Sequence, residues 1–305
     1  MMSCLTHQRL AALRRTAILV LVLGALTLAA TSTIARAQSR SFLWKASNSQ
    51  GSLYLVGSVH MLSKDFYPLN PVLDAAFKES DLLVEELDLG EMMAPDAQMA
   101  MLTRGMLPAG QTLDTTLSHE TLTLVQRQAA ALGLPVEPLK RFKPWALALT
   151  LLGMAWQKAG FEADLGLDKH FYDRAKAERK PVKGLETVAF QISRFDDMSM
   201  PDQDKLLQQS MREIESETTM IGTLATAWKN GDTATIERIV LQDVSNDPLM
   251  YRRLIVDRNQ TWLPVLEGLT ARPHPAFVVV GAAHLVGPSG LLAQLKAKGY
   301  TIEQR

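Results

Sequence analysis

Ser52-Leu53-Tyr54-Leu55-Val56-Gly57-Ser58-Val59-His60 and Phe277-Val278-Val279-Val280-Gly281-Ala282-Ala283-His284 share one form: an apolar run, then Gly-x-x-His. Each run reads as a strand buried on both faces, because its hydrophobicity is continuous rather than alternating. After His60, Asn70-Pro71 supplies a cap residue and a proline at the first helical position. The helix it opens runs to about Ser80 and gives way to the strand 81–87, Asp-Leu-Leu-Val-Glu-Glu-Leu. After His284, Pro288-Ser289-Gly290 precedes a helix over 291–298, which ends at Gly299 before the strand Tyr300-Thr301-Ile302. Both ends therefore spell β–GxxH–α–β, the pattern of parallel strands joined by a crossover helix.

Between these ends, residues of about 90–270 read as mainly helical. Helical segments are expected at 92–103, 119–132, 144–158, 167–178, 202–220, 224–229, 233–240 and 248–267. One short strand fits within Pro181-Val182-Lys183-Gly184-Leu185-Glu186. The expected fold is α/β: a central sheet built from the N- and C-terminal β–GxxH–α–β units, with a large helical insertion.

The chain has 305 residues, with 32 Lys+Arg against 32 Asp+Glu. That balance gives no electrostatic footprint for nucleic acid. The zero is a sum over unlike parts. Residues 1–37 hold four arginines and no acid, with Arg9, Arg14 and Arg15 ahead of an apolar stretch from Ala17 to about Ala30. Ala35-Arg36-Ala37 then reads as a small-residue cleavage site, so 1–37 is expected to be a secretory signal peptide and 38–305 the mature domain. The mature chain would carry 32 − 4 = 28 basic and 32 acidic residues, a charge of −4. The lone cysteine, Cys4, leaves with the signal, so disulfides, CxxC metal sites and a cysteine nucleophile are excluded. A periplasmic or secreted location is expected, with no stable membrane span after signal cleavage.

In an open α/β sheet, ligands bind beyond the carboxyl ends of the strands. His60 and His284 each follow a strand by three residues, so adjacent strands would bring both imidazoles to one crevice. Glu85 and Glu86 end a third strand. Side chains alternate along a strand, so one of the two is expected to face that crevice. Two neutral imidazoles with one or two carboxylates suit a divalent metal with open positions, which can polarise a carbonyl and activate water.

Several residues carry two readings. Glu186 is a ligand or base, or else a capping or salt-bridge acid. Arg258 binds a substrate carboxylate or stabilises an oxyanion, or else makes a structural ion pair. Asn259 assists or caps a turn. Asp168 holds a histidine ring proton or caps a helix. Met92, Met93, Met99, Met101 and Met106 bind copper(I) through their thioethers, or else fill apolar gaps or form a substrate-facing lid.

The order and spacing of these pieces resemble the TraB/GumN family, related to the Tiki metalloproteases and more distantly to erythromycin-esterase and ChaN-like proteins. The resemblance rests on Phe42-Leu43-Trp44-Lys45, the two GxxH segments, Glu85-Glu86-Leu87, Lys143-Pro144-Trp145 and Gly166-Leu167-Asp168. It continues through Gly184-Leu185-Glu186-Thr187 with Gln191, 228–232 (Trp-Lys-Asn-Gly-Asp), 258–262 (Arg-Asn-Gln-Thr-Trp) and His284-Leu285-Val286-Gly287. The resemblance implies a metal-dependent hydrolase, expected to be a peptidase acting on a peptide or other small substrate. The metal ligands would be His60 and His284, and the catalytic candidates Glu85, Glu86, Glu186 and Arg258. The expected cofactor is a divalent metal (manganese, cobalt or zinc). The alternative is a non-catalytic haem- or metal-binding protein, or an envelope-assembly protein, on the same scaffold.

Overall fold

The computed structural model describes residues 40–216 and 218–305. The expected signal peptide lies outside the described residues. Six strands form one mixed sheet: β1 Leu43–Asn48, β2 Gly51–Ser58, β3 Leu82–Glu85, β4 Val182–Gly184, β5 Ala276–Gly281 and β6 Thr301–Gln304. Their spatial order is β4-β3-β5-β2-β1-β6. The pairs β4–β3, β3–β5 and β5–β2 are parallel, whereas β1 runs antiparallel to both β2 and β6. β2, β3, β4 and β5 therefore end on the same edge of the sheet, with Ser58 opposite Gly281 and Glu85 opposite both Val279 and Gly184.

The two GxxH strands are neighbours, which is the condition for a shared crevice. β5 is buried along its apolar length, which is why Phe277-Val278-Val279-Val280 shows no alternation. It lies between β2 and β3, so the N-terminal βαβ unit spans one intervening strand. The last strand, β6, crosses further and pairs with β1. The strand β1 itself was not anticipated. It forms a hairpin with β2 across Ser49-Gln50, and the Asn48 carboxamide accepts from Gln50 N and Gly51 N. This Asx turn offers the chain a tight reversal without the usual Asn-Gly pair.

Some helices agree with the apolar periodicity, whereas 92–103 is split into Leu89–Met92 and Pro95–Arg104, 202–220 and 224–229 become Met200–Ser216 and Thr218–Lys229, and 233–240 extends to Asn246. His119–Leu132 and Pro144–Lys158 have the expected bounds, and Asn70 caps Pro71–Glu79 through Val72 N. Val188–Asp196 is an additional helix, capped by Thr187. The expected helix over 248–267 is interrupted: a π-helical turn, Arg252–Val256, leads into Asp257–Leu269. Such turns are uncommon and often lie beside functional sites. Arg253 anchors this one by donating to the Ser193 and Arg194 carbonyls.

The sheet and the helices covering it share the largest apolar cluster, from Phe42 to Tyr300. The helical insertion has a core of its own, including Leu124, Leu147, Leu151, Leu207 and Met211. Among the described residues no helix is long and apolar enough to cross a membrane.

Candidate functional site

The shared edge of the parallel strands carries His60, Glu86 and His284 to one place. A methyl group built on Gly281 would sit 3.2 Å from Glu86 Oε1, 3.7 Å from His60 Nε2 and 3.6 Å from His284 Cδ2. One glycine thus leaves a small space that three polar side chains surround.

Each imidazole is held from behind. His60 Nδ1 lies 2.9 Å from Asp168 Oδ2, and an ionised carboxylate only accepts, so the ring nitrogen donates. Asn259 Nδ2 donates to the His284 and Ser289 carbonyls, which leaves Asn259 Oδ1 to accept from His284 Nδ1 at 2.7 Å. Both Nδ1 atoms therefore carry protons. In neutral rings each Nε2 is then a lone-pair donor directed away from its support. This is the usual way a protein fixes a metal-binding histidine. Asp168 thus takes the ring-holding role, and the N-cap of its helix is Gly166. Gly166 also brings that helix against the GxxH loop: a methyl there would meet the His60 carbonyl at 2.1 Å.

Glu86 faces the two rings. Its Oε1 accepts from Gly281 N at 2.8 Å and stands 3.7 Å from His284 Nε2, while its Oε2 pairs with Arg258 Nη2. Burial would raise its pKa, but Arg258, His60 and the Gly281 N–H outweigh burial and hold it at about 2. His284 is buried, and burial pushes it down to about 3, with Glu86 opposing and Arg258 assisting, so it is neutral at pH 7. His60 is raised to about 9 by the Asp168 charge. Its side chain is 66% exposed at the mouth of the cleft, so solvent screens part of that push.

Arg258 ties the carboxylates together. Besides Glu86 it donates Nη2 and Nε to Glu186 at 2.7 and 3.1 Å, and Nη1 to the Leu254 carbonyl and to His284 Nε2. Its guanidinium lies over the Trp262 ring at 4.6 Å, and that ring also packs against His284. Glu186 is committed to Arg258 and to Trp262 Nε1, so it sits behind the site rather than facing the rings. Burial raises its pKa although Arg258 opposes this.

Glu85, next in sequence to Glu86, points to a different space. It is 2% exposed, and neither carboxylate oxygen has a hydrogen-bond partner. Burial, followed by the charges of Asp168, Asp88 and Asp173, pushes it up to about 9. The alternation of side chains along β3 sends the two glutamates apart, as expected from strand geometry.

Two cavities meet at His60, Met61 and Glu86. The larger, about 490 Å³, is walled by apolar side chains of the insertion, including Leu149, Leu152, Trp156 and Ile255, and reaches Arg258 and His284. The other, about 400 Å³, is lined by Glu85, Asp168, Met92 and Met93. Met92 and Met93 therefore wall a cavity, and Met93, Met99 and Met101 are exposed.

The donor types fit a divalent cation: two Nδ1-held imidazoles and a carboxylate ionised at neutral pH. Among the described residues no three His, Cys, Asp or Glu side chains already stand at ligating spacing. The Arg258–His284 hydrogen bond must yield for Nε2 to bind a metal, and Arg258 retains Glu86, Glu186 and Leu254 when it does.

The sequence pattern did not reveal the pairing of Asn259 with His284 or the role of Trp262. A signal existed: Arg258 and Trp262 are spaced i, i+4 on one helical face, with Asn259 beside them.

A family model described as the TraB/PrgY/gumN family matches residues 42–304. Uncharacterized protein YbaP of Escherichia coli (strain K12) is 29% identical over 245 residues, covering 80% of this chain and 87% of the relative. An uncharacterized protein of Treponema pallidum (strain Nichols) is 22% identical over 266 residues, covering 81% of this chain and 78% of the relative. Among solved structures there is no significant match.

Proposed function

The chain belongs to the TraB/PrgY/gumN family, and from that premise we propose that it is a metal-dependent hydrolase of peptides, exported by its N-terminal segment and working in the periplasm or outside the cell. The observation that carries this reading is the convergence of His60 Nε2, Glu86 Oε1 and the His284 ring on the space in front of Gly281, each imidazole held through Nδ1. His60, His284 and Glu86 would hold the ion, which would be manganese, cobalt or zinc. A divalent ion bound there supplies Lewis acidity and a water of lowered pKa.

The chain's own groups do the rest. Asp168 and Asn259 fix the tautomers, so neither ring must reorient during turnover. Glu86 stays ionised because Arg258 and the Gly281 N–H hold its charge. Arg258 reaches the larger cavity and is placed to stabilise negative charge that develops there. The apolar walls of that cavity exclude water from the bound chain, which strengthens these interactions. Glu186 positions Arg258 rather than meeting substrate.

The test is elemental analysis of the purified protein beside His60→Ala and His284→Ala. About one divalent ion per chain is expected in the parent and a loss in each variant, since structural partners of such sites typically change affinity by 10–100-fold and ligands by more. Hydrolysis of a mixed fluorogenic peptide library should stop on chelation and return with manganese, cobalt or zinc. Undiminished hydrolysis after exhaustive chelation overturns the metal.

Gly281→Ala gives a second, sharper expectation. Its methyl would be in ordinary contact with the rings and only a few tenths of an ångström too close to Glu86 Oε1. The fold should survive with Tm within a few degrees, while metal content and hydrolysis fall at least about tenfold through loss of the space itself. Retention of both would show that the cradle is not where the ion or substrate sits.

A further inference from the structure

We propose that the cavity beside Glu85 is a subsite for a cationic group on an aliphatic stem, so that the hydrolase selects peptides with lysine or arginine next to the reacting bond. This deepens the peptide-hydrolase reading and rests on it.

Three features of the cavity meet that chemistry. Glu85 lines it with both oxygens unpartnered, in a side chain almost wholly withdrawn from water. A buried carboxyl group without a donor is costly to ionise, and an ammonium or guanidinium supplies the donors that its ionised form lacks. Asp168 lines the same space, and Asp88 and Asp173 add negative charge around Glu85. Lys169 also lines the space, but its ammonium is paired with Asp173 at 2.5 Å.

The walls suit a stem rather than a bare ion. Leu87, Leu89, Met92 and Met93 line the space, and unbranched thioether side chains adapt to a flexible methylene chain. The 400 Å³ volume exceeds what one inorganic cation fills, and the described residues offer no ready cluster of three or more ligands there. Position completes the case. The cavity shares His60, Met61 and Glu86 with the larger apolar one. A substrate crossing from one to the other would set a basic side chain on one side of the reacting bond and an apolar one on the other.

Binding can be measured without turnover, by calorimetry on the full chain in chelator. The probes are n-butylguanidinium and n-pentylammonium, with n-pentanol as the neutral counterpart. The cations should bind at least about tenfold more tightly than the alcohol, as expected for a charge-assisted bond made in a dry site. Glu85→Gln should abolish that preference. Met93→Arg, at the exposed rim, should weaken the cations about tenfold by placing a tethered guanidinium in the cavity. This second variant decides the matter if Glu85→Gln is poorly folded. Equal binding of cations and alcohol, or a preference that survives both substitutions, overturns the subsite. Absence of peptide hydrolysis in a protein that shows the preference overturns the hydrolase reading instead. Hydrolysis with no gain for lysine or arginine peptides overturns only the subsite.

Discussion

Glu85→Gln is expected to make the metal-free protein more stable, by a margin that grows with pH. The native pKa of Glu85 is pushed from the ordinary 4.5 up to about 9 by burial first and by Asp168, Asp88 and Asp173 after it. In the unfolded chain the group ionises near 4.5, whereas in the fold it keeps its proton until about 9. Between those values the native state binds the extra proton, so folding stability falls as pH rises. The slope has an upper limit of about 1.4 kcal/mol per pH unit for one group. Glutamine keeps the shape and removes the titration. In chelator, urea unfolding at pH 5 should show little difference, while at pH 8 the variant should be more stable by roughly 2–4 kcal/mol. A constant difference from pH 5 to 8 would mean that Glu85 does not titrate on folding.

Arg258→Ala is expected to act in the opposite direction and about as strongly. The guanidinium is the cation shared by Glu86 and Glu186, and it is buried with both. Removing one partner of a buried pair leaves charge without compensation and typically costs about 3–5 kcal/mol. For a domain of this size that corresponds to a fall in Tm on the order of 10 °C. The diagnostic is the triple variant Arg258→Met with Glu86→Gln and Glu186→Gln. It should recover most of the lost stability while remaining without hydrolytic activity, because burial of an ion network is neutral or unfavourable when matched apolar or neutral groups replace it. If the triple variant is no more stable than Arg258→Ala, the loss comes from packing on Trp262 rather than from stranded charge.

These two expectations mark the limits of what the sequence discloses. The two GxxH segments could be read as strand ends because glycine stops each apolar run. Their adjacency was a condition for a shared crevice rather than something the pattern encodes, and the pairing of β5 with β2 meets it. That Glu85 and Glu86 diverge followed from the pleat, but not which would meet the imidazoles. That depends on the register Glu85–Val279, which no local pattern encodes. Asp168 had two plausible roles, and long-range contact decided between them: Gly166 packs so closely on His60 that Asp168 reaches the ring. The strand β1 escaped notice because Phe42-Leu43-Trp44-Lys45 is short and its turn lacks the usual glycine pair. The π-helical turn at Arg252–Val256 is invisible to a 3.6-residue periodicity, since it adds length without changing composition.

The insertion of β5 between β2 and β3 sets a timetable for the protein's birth. As the chain emerges from the ribosome, β2 and β3 lack their common neighbour until some 275 residues have been made, so the central pairings arrive nearly last. Closing them spans about 220 residues of sequence, a topology that slows folding. The same order serves as a safeguard: His60 and Glu86 wait for Gly281 and His284, and a chain interrupted before them has no assembled cleft.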